Sequence, residues 1–107
     1  MNQVLEVENK SDSESRPAGG FVKGVGIDIQ WQNGPLGSGL NRIAPNGAFV
    51  ESVLRAALAR LEYYQTSQFK CKENADAIAH VQLALEILNS RTKRRETQGV
   101  EGTHAGN

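Results

Sequence analysis

Arg91 and Arg95 stand four residues apart at the end of an apolar helical repeat. That spacing puts both on one helix face, where two forked guanidinium groups can grip a single anion. Lys93 and Arg94 thicken the same turn. Asn74 opens the repeat, flanked by Glu73 and Asp76, and Tyr64 lies upstream as an aromatic ring able to stack on a planar base. Asn74 precedes Arg91 by 17 residues, about 25 Å at ~1.5 Å rise per residue. No small ligand spans that length on one straight helix. If these residues serve one pocket, two chains must build it.

The basic turn has three readings. It can be a solvated helix end whose bases complement the negative pole of the helix dipole. It can contact nucleic acid, although net charge is zero, with 12 basic against 12 acidic residues, and no aromatic residues interleave with the bases. It can also capture a small phosphorylated ligand.

Residues suited to catalysis are not arranged for it. His80 falls mid-helix and His104 in the tail, with no Cys, Asp or Glu at metal-ligand spacing around either. Cys71 has no base partner in the pattern, and Glu51 and Glu62 fall on a solvated helix face. The run Gly34-Pro35-Leu36-Gly37-Ser38-Gly39 lacks the Gly-Lys-Ser/Thr ending of a phosphate loop. We expect no enzyme, no metal site and no cofactor.

Two helices must position the candidate groups. Ile78, Val81, Leu85 and Leu88 form an apolar stripe that Ala77, Leu83, Ala84 and Ile87 widen, giving a helix over 72–98 that is apolar on more than one side. Val50, Val53, Leu54, Ala57, Leu58 and Leu61 mark a first helix over 46–67, capped by Asn46. A short link makes them an antiparallel two-helix hairpin. Tyr64 and Asn74 then share one end, and Arg91 and Arg95 occupy the other.

Upstream, Val25, Ile27, Ile29 and Trp31 alternate with polar residues or glycine, a strand signature. Asn33-Gly34 signals a hairpin, with a return strand through Leu36 to Ile43. Residues 21–43 are thus a strand region, and polar, acidic residues 1–20 read as a flexible arm. The stretch 21–104 makes one domain, and 105–107 is a tail. The predicted class is α+β: an N-terminal strand or hairpin followed by the helical hairpin.

The chain has 107 residues and one cysteine, so no intrachain disulfide supports a helical part this small, and oligomerisation is the expected remedy. No run of 18 apolar residues and no signal peptide is present, which leads us to expect a soluble cytosolic protein.

Several dispersed motifs carry a family resemblance. They are Asn41-Arg42, Pro45-Asn46-Gly47-Ala48-Phe49-Val50-Glu51, Tyr64-Gln65, Glu73-Asn74-Ala75, Arg91-Thr92, Arg95-Glu96 and Gly99-Val100-Glu101-Gly102-Thr103-His104. With the strand Ile27 to Gln32, their order and spacing over about residues 25–104 resemble the Thoeris anti-defence protein 1 family of phage sponges. The anti-CBASS protein 2 group shares the hairpin.

The resemblance implies a protein of the host cytoplasm that sequesters cyclic ADP-ribose isomers, glycocyclic ADP-ribose among them, without degrading them. It implies a homodimer or homohexamer, with cyclic di- or trinucleotides as further ligands of some members. It places ligand contacts at Asn74, Arg91 and Arg95 and a stacking aromatic at Tyr64. Trp31, Asn46 and Arg42 are additional candidates. No nucleic acid or membrane partner is implied. The rival reading is a small phage protein that binds nucleic acid or a host protein through the basic helix end.

Overall fold

The computed structural model describes residues 4–37, 40 and 42–97, with side chains through Arg94. Asn41, Gln98, the tail motif at 99–104 with His104, and residues 105–107 lie outside the described residues. The chain divides after Phe49 into two compact units.

In the first unit, β1 (Glu6–Ser11), β2 (Pro17–Gly24) and β3 (Ile27–Gln30) form an antiparallel sheet in the order β1-β2-β3. Val7 pairs with Val22 and Val22 with Ile29, which gives one face an apolar row across all three strands. Glu6 pairs with Lys23 and Lys23 with Asp28 on the opposite face, so charges alternate in sign across the sheet. Lys23 also lies 4.7 Å from the centroid of the Phe21 ring.

Residues 6–11 and 17–20 are therefore strand, not part of the structureless arm that composition predicts. β1 is exposed along its whole length. An edge strand needs only one ladder and tolerates charged side chains, so it escapes a test based on apolar content. Asp12 closes the β1–β2 connection. Its Oδ1 accepts the Glu14 and Arg16 amides at 2.8 and 3.0 Å, and its Oδ2 accepts Arg16 Nε–H at 2.9 Å. Those donors hold the Asp12 carboxyl below its usual pKa, the Arg16 amide contributing most.

The predicted hairpin at Asn33-Gly34 is displaced. The chain reverses earlier, at Val25-Gly26, where Gly26 takes φ 76° and Gly24 pairs with Ile27. Pro35 has no N–H to give a ladder, and no described residue between Leu36 and Ile43 belongs to a strand. Trp31 instead forms an isolated parallel bridge with Ala48. The Ala48 amide donates to Gln30 O at 2.7 Å, and the Gln32 amide donates to Ala48 O at 3.0 Å. Leu36, 8% exposed, is the one buried residue among those described.

The second unit holds α1 (Val50–Tyr64) and α2 (Lys72–Thr97). Their packing matches the predicted stripes except at Val50 and Ala57, which are exposed. Val53, Leu54, Leu58 and Leu61 on α1, with Ile78, Val81, Leu85 and Leu88 on α2, are half-buried. The extra apolar width of α2 stays uncovered, with Leu83 52% and Ile87 62% exposed. They belong to an exposed row at four-residue spacing: Ala75, Ala79, Leu83, Ile87 and Arg91.

Candidate functional site

The hairpin turn is tied by short polar side chains. Thr66 Oγ1 and Ser67 Oγ each donate at 2.7 Å to the carbonyls of Tyr63 and Tyr64, satisfying the C-terminal end of α1. The Gln65 amide grips Cys71 in both directions: Nε2 donates to Cys71 O, and Oε1 accepts Cys71 N–H, both at 3.1 Å. Cys71 then caps α2, its Sγ accepting the Asn74 amide at 3.4 Å. Asn74 reaches back, and its Nδ2 donates to Phe69 O at 3.2 Å.

The result is an open depression of about 370 Å³ lined by Tyr64, Phe69, Cys71 and Asn74. Tyr64 and Phe69 meet edge to face with centroids 6.4 Å apart. The predicted pair, Tyr64 and Asn74, is brought together here. The ring offers a stacking surface, and Asn74 Oδ1 accepts no hydrogen bond from any described residue. Among the described residues, no charged side chain lines the depression.

Arg91 lies 17 residues along α2, about 25 Å away. It is exposed at the end of the apolar row. Arg95 belongs to the last turn of α2, and its side chain lies outside the described ones.

Trp31, Arg42 and Asn46 belong to the first unit. Trp31 is half-buried and Arg42 exposed. Asn46 does not cap the first helix, which starts at Val50. Its side chain mimics a strand partner instead: Oδ1 accepts Asn33 N–H at 2.8 Å and Nδ2 donates to Asn33 O at 3.0 Å. Gln32 Oε1 returns the contact by accepting the Asn46 amide at 2.8 Å and the Gly47 amide at 3.3 Å. A Cβ at position 47 would collide with the Trp31 carbonyl group, so glycine permits this approach.

Sequence reasoning missed Phe69 as a pocket wall and Gln65, Gln32 and Asn46 as clamps. Contacts over six or more residues leave no periodic signal. It also missed Arg60, whose guanidinium lies 5.0 Å from the centroids of both the Tyr63 and Tyr64 rings. Here a signal exists, because three- and four-residue helical spacings bring the rings onto the arginine.

Fold and site together define a small α+β protein whose candidate ligand groups are carried by a two-helix hairpin. The chain belongs to the Acb2/Tad1 hairpin-domain family, whose profile matches residues 23–93. A relative from Bacillus phage SBSphiJ7, Thoeris anti-defense 1, is 42% identical over 76 residues, 71% of this chain and 51% of the relative. This chain thus spans about half the length of that relative. The family match includes Trp31, Arg42, Asn46, Tyr64, Asn74 and Arg91 and ends before Arg95; β1 also lies outside it.

Proposed function

We propose that this protein is a phage anti-defence sponge. It binds and holds a cyclic ADP-ribose-type signal such as glycocyclic ADP-ribose without degrading it, in the host cytoplasm, so that Thoeris stays silent. Family membership and the 42% identical Thoeris anti-defense 1 relative support the biological class. The observation that carries the molecular reading is the shared depression of Tyr64 and Asn74, with Arg91 at the far end of an uncovered apolar row.

Leu83 is the centre of that row, with Ala75 eight residues before it and Arg91 eight after. A second copy packed antiparallel about a twofold axis at Leu83 brings the Arg91 end of each chain's α2 to the Ala75 end of the other's. Asn74 and Tyr64 of one subunit then share a ligand with Arg91 and Arg95 of its partner. The stacking ring and amide hold the base or ribose, and the forked arginines hold the phosphates. Trp31 and Arg42 are further candidate contacts. Asn46, engaged on Asn33, is assigned to shaping the loop beside Trp31.

Some oligomers of this kind would also bind CBASS cyclic di- or trinucleotides elsewhere on their surface. No helix among the described residues is long and apolar enough to cross a membrane. Mixing the protein with glycocyclic ADP-ribose, removing free ligand and heating the complex tests the function. A sponge releases intact signal. Recovery of a degraded product, or no retained ligand at all, would contradict it.

A further inference from the structure

We infer that Arg60 is an anion-binding residue of the Tyr64–Asn74 depression, supplying phosphate-facing charge from the same subunit. The inference rests on the proposed nucleotide site. Its guanidinium lies 5.0 Å from the ring centroids of both Tyr63 and Tyr64, and Tyr64 forms one wall of the depression. A hydrogen bond to Tyr64 engages part of the five-donor fork and holds the Arg60 pKa above its usual value, while the ring faces orient the guanidinium.

Two ordinary uses of a basic side chain near a helix end are already excluded. The Tyr63 and Tyr64 carbonyls at the end of α1 are taken by the Thr66 and Ser67 hydroxyls. No carboxylate among the described residues forms an ion pair with Arg60. What remains is a charged fork held on Tyr64, which walls a depression with no charged side chain among its described lining residues. A ligand bearing two phosphates needs such a fork, and bidentate geometry suits it. The shared pocket then carries cations from both sides: Arg60 from one subunit, and Arg91 with Arg95 from the other.

Calorimetric titration of glycocyclic ADP-ribose into wild type, Arg60→Gln and Arg60→Lys, each at low and high salt, tests this. Arg60→Gln should bind about tenfold more weakly, with an affinity that falls less steeply with salt, because a charge-assisted contact is lost. Arg60→Lys keeps the charge without the fork and should fall between the two. If Arg60→Gln does not fold, Arg60→Met decides, since wild-type affinity with unchanged salt dependence in that uncharged variant overturns the assignment. Wild-type affinity in Arg60→Gln also overturns it, while leaving the sponge reading intact. Weaker binding with unchanged salt dependence overturns it too, because Arg60 would then act only by holding the tyrosine rings. Wild type that binds no ligand overturns both.

Discussion

Asn74 illustrates how one side chain can serve structure and ligand at once. Its backbone amide completes the Cys71 cap and its Nδ2 ties the turn at Phe69, while Oδ1 is left without a described donor. Loss of Asn74 therefore carries a structural cost as well as a binding cost, whereas Arg91 is exposed beyond the packed stripe. Arg91→Ala and Arg95→Ala should each weaken ligand binding by about tenfold to a hundredfold, the equivalent of roughly 1.5–3 kcal/mol for lost charge-assisted contacts. Their unfolding midpoints should match wild type, and calorimetry beside a denaturant titration separates the two effects. These arginines were legible in the sequence because four-residue spacing fixes a helix face regardless of tertiary context. Arg60 was equally legible by spacing, but its meaning depends on the tyrosine rings it meets.

At the scale of elements, the two helices follow directly from their apolar periods, and the strands do not follow so simply. Val7 sits between Glu6 and Glu8 in a short alternation begun by Leu5, and its register against Val22 fixes it in β1. The Asn46 side chain displaces the expected cap because a strand-like pair with Asn33 is available across 13 residues, which no local rule encodes. Asp12 offers a pH test of the β1–β2 turn. Its folded pKa is below the usual 3.8, so its contribution is fully present above that value and fades as pH falls through the depressed one. The Glu14 and Arg16 amide resonances should therefore titrate with a midpoint below 3.8. A midpoint at or above it would remove the turn's claimed hydrogen bonds. In the hairpin, Gln65→Ala removes both bonds to Cys71. It should lower stability by roughly 1–2 kcal/mol, read from urea unfolding, because two part-buried backbone groups lose their partner.

At the scale of the whole molecule, the hairpin leaves its helices half-covered. Leu83 and Ile87 remain exposed on the row that ends at Arg91, and no residue of the hairpin is buried among those described. The width of the apolar pattern on α2 was visible in the sequence, but what covers it was not, because periodicity marks an apolar face without naming its partner. Leu83→Asp should dissociate the assembly, since it buries a charge at the centre of the proposed twofold contact. Sedimentation should show a smaller species that has also lost high-affinity ligand binding. A variant that keeps wild-type mass would place the contact elsewhere.

In the proposed pocket, one ligand is held by Asn74 of one subunit and Arg91 of the other. Mixing Asn74→Ala with Arg91→Ala chains, refolding them together and counting bound glycocyclic ADP-ribose tests it directly. In a mixed dimer one pocket carries both lesions and the other carries neither. Random pairing makes half the dimers mixed, so about a quarter of wild-type capacity should return although each variant alone retains almost none. Mixed dimers confirmed by native mass spectrometry but showing no recovered binding would contradict a pocket shared between subunits.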